Sequence, residues 1–310
     1  MPQGVVIRAY NGYHYVRTEA SVFECKTRGK MKKQREKVYV GDYVEFEDLG
    51  QEKGIIEKIL PRKTLLERPT IANISQVFLM FAVKEPDVNL KLLNRFLVLA
   101  EHSDIPIVIC LNKVELAEEE ANRIAEEYRA IGYTVLLLSA HEERNIDMLK
   151  AALADKITVF AGPSGVGKSS LLNLVEPTFE LATGSVSEKI GRGKHTTRFA
   201  QLLPLSSGGY VVDTPGFSYT EFEMEETVLA SCFPEFRQYE QCRFSPCLHS
   251  HEPSCGVKEA LDRGDIRQQR YQSYLEIQLS RKLKSSIISQ LDNFGAMLSI
   301  IFLPIYILSK

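Results

Sequence analysis

The sequence lacks the amino-terminal pattern of a secreted protein, in which positively charged residues precede an apolar run. We therefore expect no secretory signal and a cytoplasmic protein. It also has only six cysteines in 310 residues. In an unsecreted protein these are expected to be reduced thiols, for which metal binding is commoner than disulfide formation.

Long apolar runs are scarce as well. The stretch FGAMLSIIFLPIYILSK, at residues 294–310, is broken by Pro304 and is too short to predict a membrane span. We expect no stable membrane partner. The stretch itself leaves three alternatives open: a buried terminal segment, a weak interfacial anchor or an atypical chain end.

Net charge is also small, at −2, but the charge is unevenly distributed. Residues 1–70 carry 14 Lys and Arg against 10 Asp and Glu, whereas the remainder carries 24 against 30. A basic amino-terminal part on an acidic body indicates a polyanionic partner. Otherwise the composition, 44% hydrophobic and 25% charged, is that of a soluble globular protein long enough for two or three domains.

The first 67 residues predict a small β-barrel, for which an oligonucleotide-binding (OB) barrel is the natural candidate. Short alternating runs separated by turn residues predict strands at Gly4–Ala9, Tyr13–Thr18, Ser21–Thr27, Lys37–Tyr39, Asp42–Glu47 and Gly54–Ile59. The segment 26–37, KTRGKMKKQREK, has seven basic residues and one acidic residue. It is either a solvated hairpin tip or part of an RNA-binding surface, with stacking rings from Tyr10, Tyr13, Tyr15 and Phe23.

Residues 61–69, between two prolines, predict a linker, and from residue 74 onward strands alternate with helices. Strands are predicted at 74–83, 105–111, 133–139, 156–161 and 209–213, and helices at 88–100, 117–130 and 145–153. Such alternation predicts a mostly parallel sheet covered by helices on both faces. Nucleotide sites then lie beyond the carboxyl ends of the strands.

A phosphate-binding loop is the strongest local signal. Residues 162–169, GPSGVGKS, fit G-x-x-x-x-G-K-[ST] between a predicted strand and a predicted helix. Glycines let backbone N–H groups and the helix start surround an anion. The predicted contacts are Gly162, Pro163, Ser164, Gly165, Val166, Gly167, Lys168, Ser169 and Ser170, with Lys168 on the β- and γ-phosphates and the Ser169 hydroxyl on Mg²⁺.

Two further loops are candidates for reading a base. Asn112-Lys113-Val114-Glu115 and Ser139-Ala140 each follow a predicted strand and resemble the N-K-x-D and S-A loops of GTPases. In that chemistry Glu115, in place of Asp, accepts from the guanine N1–H and amine, and Asn112 holds the other edge. Lys113 covers the ring and the Ala140 N–H donates to O6. Adenine presents the opposite donor pattern and would leave the acid unpaired.

The segments after the phosphate loop resemble GTPase switches. In GRGKHTTR (191–198), Thr196 and Thr197 are both candidates for Mg²⁺; in DTPG (213–216), Asp213 suits Mg²⁺ and the Gly216 N–H suits the γ-phosphate. Phe217 stands where many GTPases have a water-orienting glutamine. His195 is therefore the candidate catalytic residue, the alternative being a loop histidine that contacts RNA or solvent. Unaided hydrolysis is expected to be slow.

A cysteine and histidine cluster follows. Cys242, Cys247, His249 and Cys255 fall within 14 residues, which suits one structural, tetrahedral Zn²⁺. His251 is the competing imidazole, and Cys25, Cys110 and Cys232 are expected in the core. From Asp265 the pattern predicts a basic amphipathic helix, either an RNA or protein contact or a plain packing helix.

The base-reading loops precede the phosphate loop and switches, the reverse of the usual GTPase order, so the predicted sheet is circularly permuted. Together with GPSGVGKSS, GRGKHTTR, DTPGF and the cysteine cluster, this order resembles the small-ribosomal-subunit-dependent GTPase family (RsgA, also called YjeQ or YloQ) over about residues 1–284. The chain departs from it at Glu115 and in the apolar tail.

The resemblance implies an α/β P-loop GTPase domain, circularly permuted, with an OB-like barrel before it and a small zinc-binding α domain after it. The expected boundaries are 1–67 for the barrel, 70–222 for the GTPase domain, 223–284 for the zinc domain and 285–310 for the tail. The implied partners are GTP or GDP with Mg²⁺ and the 30S ribosomal subunit with its rRNA. The implied role is subunit-stimulated GTP hydrolysis in late 30S maturation, by a monomer.

Two other functions stay open from the residues alone. One is a nucleotide-gated RNA-binding assembly factor in which hydrolysis is incidental. The other is a P-loop ATPase or kinase, if Glu115 does not select guanine. Comparing the assembly activity of variants at Lys168 and His195 tests the assembly-factor alternative. Comparing the binding of GTP with that of ATP tests the ATPase or kinase alternative.

Overall fold

The computed structural model describes residues 1–33, 36–67, 70–181, 200–213 and 224–280. They belong to two compact units, Met1–Glu221 and Phe222–Lys310. Among the described residues, no helix is both long enough and apolar enough to cross a bilayer. The apolar stretch at 294–310 and the switch segments 191–198 and 214–217 lie outside the described residues.

The first unit begins with a closed five-stranded barrel, which confirms the OB-like prediction. Its strands are β1 (Gln3–Tyr10), β2 (Tyr13–Arg17), β3 (Val22–Thr27), β4 (Tyr43–Gly50) and β5 (Lys53–Ile59). They pair in the order β1-β2-β3-β5-β4, and β4 pairs back onto β1. Because successive side chains point to opposite faces of a strand, alternate residues such as Val16, Phe46 and Ile56 fill the interior.

The predicted strand at Lys37–Tyr39 is wrong. The segment after β3 contains a short helix, α1 (Gly29–Lys33), and residues 37–39 are not in a strand. They lead into a tight turn, in which the Asp42 carboxylate accepts from the Tyr39 N–H at 2.8 Å. A carboxylate that binds its own backbone three residues back favours a turn over a ladder.

The predicted linker at 61–69 is also wrong in part, because it contains a strand. β6 (Leu65–Glu67) pairs with β7 (Thr70–Ala72) in a small hairpin. Arg62 bonds the buried Asp42 of the barrel at 2.6 Å, and Asn73 donates to the Gly41 carbonyl at 2.9 Å. This connection is therefore bonded to the barrel, whereas a free linker would be solvated.

The second part of this unit is the predicted α/β sheet. Its strands are β8 (Gln76–Ala82), β9 (Ile107–Asn112), β10 (Thr134–Leu137), β11 (Ile157–Ala161), β12 (Gln201–Pro204) and β13 (Tyr210–Asp213). Its helices are α2 (Leu90–His102), α3 (Glu118–Ile131), α4 (Ile146–Leu153) and α5 (Lys168–Val175). The strand order is β10-β9-β8-β11-β13-β12, parallel except for β12.

The sheet is buried on both faces, as parallel sheets generally are. All seven residues of β8 are buried, with Leu79 and Phe81 in one core cluster and Phe78 and Met80 in the other. At its far edge β12 pairs with β1, Arg8 opposite Gln201, so barrel and sheet form one continuous set of eleven strands.

The second unit is small and helical. It contains α6 (Glu226–Leu229), α7 (Gly256–Arg263) and α8, which includes residues 268–280. Its interior is aromatic, since Phe233, Phe236 and Tyr274 pack with ring centroids 5.1 to 5.3 Å apart. One buried ion pair joins Arg270 to Glu235 at 2.6 Å.

Candidate functional site

The loops predicted to bind nucleotide leave one edge of the α/β sheet. β9, β10, β11 and β13 are parallel, so their carboxyl ends lie at the same edge. β9 ends in Asn112, Ser139-Ala140 follows β10, the glycine-rich loop (162–167) follows β11, and β13 ends in Asp213. In open α/β sheets this edge is where ligands bind.

The glycine-rich loop needs its glycines because other atoms approach its backbone closely. A Cβ on Gly162 would lie 2.0 Å from the Met80 carbonyl oxygen, and one on Gly167 would lie 2.3 Å from Asn112 Nδ2. Both residues also have positive φ, 145° and 90°, a region that residues with a Cβ rarely adopt. Val166, between them, is buried and anchors the loop, while Ser164 and Gly165 are exposed at its tip.

Lys168 and Ser169 begin α5 directly after this loop. The Lys168 ammonium donates to the carbonyls of Gly162 and Pro163 at 2.8 and 2.5 Å, so its charge lies inside the loop. Burial lowers the pKa of Lys168 to about 8, because a desolvated ammonium is disfavoured. Ser169 is buried at the start of the helix, and Ser170 follows it half-buried.

Asn112 joins all three loops. Its buried side chain donates from Nδ2 to the Val166 carbonyl at 2.8 Å and accepts at Oδ1 from the Ala140 N–H at 3.1 Å. The predicted base-reading residues and the glycine-rich loop therefore share one rim. Asn112 bonds Val166, which lies two residues before Lys168 in the sequence. Ala140 N–H, predicted to face guanine O6, is directed at Asn112 here.

Lys113, directly after Asn112, has a left-handed backbone conformation. Glu115 lies in the short 3₁₀ turn that follows, Val114–Leu116. The Lys113 ammonium donates to the Glu85 carbonyl. Glu115 is half-buried, and among the described residues its Oε2 atom is enclosed without a hydrogen-bond partner. A buried acceptor without a donor costs stability, so this oxygen fits a ligand that brings N–H groups.

Two of the remaining predicted nucleotide residues, Ser139 and Asp213, lie among the described residues, and four do not. Ser139 is buried, and its hydroxyl accepts from the Glu142 N–H at 3.0 Å, which shapes the loop beside Ala140. Asp213 ends β13 opposite Gln201. His195, Thr196, Thr197 and Gly216 lie outside the described residues.

In the second unit, Cys242, Cys247, His249 and Cys255 form a compact cluster that could hold a metal ion. Their ligand atoms all lie within 4.8 Å of one another. The Cys242 and Cys255 sulfurs are 3.8 Å apart, and His249 Nδ1 lies 3.6 Å from the Cys242 sulfur and 3.3 Å from the Cys255 sulfur. Ligands at tetrahedral angles with bonds near 2.3 Å stand roughly 3.7 Å apart, so the cluster fits Zn²⁺.

The geometry also selects between the two histidines. His251 is exposed, and its Nδ1 lies 3.0 Å from the Ser250 hydroxyl, outside the cluster. Burial lowers the pKa of His249 and raises that of Cys247 to about 12. A cation that binds here therefore meets a neutral imidazole and must displace the proton of the Cys247 thiol. Cys25, Cys110 and Cys232 are buried elsewhere.

Comparison with known proteins identifies the family. A model of the RsgA GTPase matches residues 59–223, and one of the RsgA N-terminal domain matches residues 3–56. The small ribosomal subunit biogenesis GTPase RsgA of Caldanaerobacter subterraneus subsp. tengcongensis is 46% identical, covering 89% of this chain and 94% of its own. That of Clostridium perfringens (strain SM101 / Type A) is 47% identical, covering 88% and 96%.

This chain belongs to the RsgA GTPase family.

Two solved structures are similar to this chain over most of its length. YjeQ from Thermotoga maritima superposes with a TM-score of 0.79 at 38% identity, covering 90% of this chain and 97% of that one. YloQ, described as a circularly permuted GTPase, gives 0.77 at 38%, covering 92% and 96%. The predicted fold class, a permuted GTPase domain with a barrel, is confirmed.

The structure also shows one residue near the cluster that sequence reasoning missed, Glu252. Glu252 lies between His251 and Cys255 in sequence, and its carboxylate accepts from the N–H groups of Leu248, Ser250 and His251. Burial alone would raise the pKa of Glu252, but the backbone hydrogen bonds lower it to about 2. Its only sequence signal was its position inside the cysteine cluster.

Proposed function

We propose that this chain is a GTP hydrolase that acts on the small ribosomal subunit during its late assembly and is stimulated by that particle. The observation that carries the proposal is the Asn112 side chain, which bonds both the glycine-rich loop and the Ala140 N–H. One nucleotide can then touch the base-reading and phosphate-binding loops together. The biogenesis role is supported by the names of relatives at 46 and 47% identity.

In this proposal each residue has a specific task. Lys168 lies on the phosphates and neutralises charge that develops on them, and Ser169 holds Mg²⁺ together with Thr196 or Thr197 and Asp213. Mg²⁺ held there would help to neutralise the negative charge of the phosphates. Glu115 supplies the buried acceptor for the guanine N1–H and amine, which adenine lacks. The other proposed nucleotide contacts are Lys113, Ser139, Ala140, Gly162, Pro163, Ser164, Gly165, Val166, Gly167, Ser170 and Gly216.

His195 is proposed to position the attacking water, because Phe217 occupies the place of a water-orienting glutamine and cannot hydrogen-bond. The expected result for His195→Ala is loss of subunit-stimulated turnover with retained GTP binding. Full stimulated turnover in that variant would remove His195 from the mechanism.

The barrel offers a surface that fits single-stranded RNA. Arg8, Tyr15 and Glu24 stand opposite one another across β1, β2 and β3, and Tyr10 and Tyr13 form the neighbouring pair. The Arg8 guanidinium lies 4.0 Å from the Tyr15 ring centroid, and the Lys26 ammonium lies 4.8 Å from that of Tyr13. Aromatic rings paired with cations bind stacked bases and backbone together.

Phe23 is not part of this surface, because its ring packs 4.9 Å from that of Phe46 inside the barrel. We expect Tyr13→Ala and Lys26→Ala to weaken binding to the small subunit. The matched control is Tyr43→Ala on β4, which removes a 45% exposed tyrosine elsewhere on the barrel. Equal loss in the control would assign the effect to barrel folding.

We also propose one structural Zn²⁺ at Cys242, Cys247, His249 and Cys255, and a monomeric, cytoplasmic protein in three domains close to the boundaries 1–67, 70–222 and 223–284. Four protein ligands leave no open position, so the metal would hold the fold together without taking part in hydrolysis.

The deciding experiment measures GTP and ATP hydrolysis with and without purified small subunits. We expect slow GTP turnover alone, a large increase with subunits, and little ATP turnover. Tighter binding of ATP than GTP would refute the guanine assignment. Subunit binding that is nucleotide-dependent but does not stimulate hydrolysis would favour the assembly-factor alternative.

A further inference from the structure

The loop that carries His249 is bonded to a single carboxylate. Glu252 Oε1 accepts from the Leu248 N–H at 2.9 Å, and Oε2 accepts from the N–H groups of Ser250 and His251 at 3.0 and 3.1 Å. These three donors flank His249 on both sides. A carboxylate that accepts several backbone N–H groups is a strong local organiser of a loop.

The carbonyl side of the same loop is held by two tyrosines of α8. The Tyr271 hydroxyl donates to the His249 carbonyl at 2.7 Å, and the Tyr274 hydroxyl donates to the Leu248 carbonyl at 2.5 Å. Both tyrosines are buried, and Lys258 donates to the Glu252 carbonyl at 2.9 Å. The backbone next to His249 is therefore fixed from opposite sides.

His249 requires such support because its backbone is strained. Its φ is 51°, in the left-handed region that a side chain with a Cβ disfavours. Strained residues persist where the surrounding structure determines their conformation, and they concentrate at functional sites. In this conformation the imidazole Nδ1 lies among the sulfurs, 3.3 Å from that of Cys255.

We propose that Glu252 is a positioning residue for the metal ligand His249: it holds the loop in the left-handed turn that directs Nδ1 toward the three thiols before a metal arrives. The inference rests on the proposed zinc site. Glu252 does not belong to the four-residue cluster, so its effect on the metal acts through the backbone.

A carboxylate is required here because all three partners are donors. In Glu252→Gln one oxygen becomes an NH₂ group, which would meet at least one backbone N–H donor to donor. The substitution changes the side-chain volume little, so it tests hydrogen bonding and charge together. The matched control is Glu259→Gln on α7, which makes the same change at an exposed glutamate near the cluster.

The test uses the full-length protein loaded with Co²⁺, whose visible spectrum distinguishes three sulfurs plus nitrogen from three sulfurs plus solvent. We expect the spectrum of Glu252→Gln to move toward that of His249→Ala, whereas Glu259→Gln matches the wild type. Zn²⁺ transfer to a chromogenic chelator should be about tenfold faster in Glu252→Gln, as is typical when the partners of metal ligands are removed.

A wild-type spectrum and a wild-type transfer rate in Glu252→Gln would overturn the inference. A wild-type protein that takes up neither metal would instead refute the zinc site itself. If Glu252→Gln does not fold by circular dichroism, Glu252→Asp replaces it, since it keeps both acceptor oxygens on a shorter arm. That variant should retain the sulfur and nitrogen spectrum but lose Zn²⁺ faster, and an unchanged transfer rate would overturn the inference.

Discussion

The two candidate sites of this protein are held in place by different physical means. The nucleotide loops leave a sheet whose central strand, β8, is buried at every residue, so a large apolar core fixes them. The metal cluster lies in a smaller unit, whose described core combines aromatic rings and one ion pair with a few aliphatic side chains such as Leu229, Val257 and Ile266. The first site is preorganised by packing, whereas the second depends on bonds among its own loop residues and on the metal that it fits.

Removing the proposed Zn²⁺ should give the largest effect. A structural Zn²⁺ contributes roughly 10–16 kcal/mol of apparent free energy in small domains, more than a unit of this size can replace. With a strong chelator we expect the helical signal of the second unit to fall while GDP binding is retained. Circular dichroism and a GDP titration on the same sample measure both. Loss of both together would show that the nucleotide site also depends on the metal.

Lys168→Ala should have the next largest effect, and on function only. Loss of a charged contact to phosphate typically costs about a hundredfold or more in turnover. The thermal midpoint should change by only a few degrees, because the described partners of this ammonium are two carbonyls of its own loop. A large drop in the midpoint would show that the loop is held by Lys168 as well as by the core.

Two glycines of the same loop provide a matched pair. Gly165 and Gly167 both have positive φ, 79° and 90°, so alanine is strained at either. However, a Cβ on Gly165 lies 3.8 Å from its nearest neighbour, Pro86 Cδ, whereas one on Gly167 would lie 2.3 Å from Asn112 Nδ2.

We therefore expect Gly167→Ala to break the link from Asn112 to Val166 and weaken GDP binding, by about tenfold for one or two lost hydrogen bonds. Gly165→Ala should weaken it much less. A fluorescent GDP analogue measures both affinities, and equal losses would show that backbone strain, not the Asn112 contact, decides this loop.

A loss of GDP affinity similar to that of Gly167→Ala is expected when the pH is raised. Burial places the pKa of Lys168 at about 8, and an anionic phosphate favours the charged form. As pH rises through 8 the ammonium deprotonates, so binding must take up a proton and affinity falls. Between pH 7 and pH 9 we expect about a tenfold loss of GDP affinity, measurable by calorimetry. A flat profile would mean that the lysine remains charged throughout.

Sequence reasoning went furthest where local pattern and local structure coincide. The glycine-rich loop, its flanking strand and helix, and the cysteine spacing are contiguous in sequence, so their geometry follows from a few residues. The prediction failed at 37–39 and in part at 61–69, where hydrogen bonds to residues distant in sequence decide the local structure. Asp42, Arg62 and Asn73 bond across these segments, and no local pattern reports on such contacts.

The amino-acid sequence by itself determined the alternation of strands and helices, the permuted order of the motifs and the candidate metal cluster, with His251 left open beside His249. These depend on hydrophobic period, turn chemistry and side-chain type, which are properties of short stretches. Only the tertiary structure decided that Asn112 bridges two loops, that Glu115 Oε2 is buried without a hydrogen-bond partner among the described residues, and that Glu252 accepts from the backbone on both sides of His249. Those are contacts and burial, which exist only once separate parts of the chain have packed together.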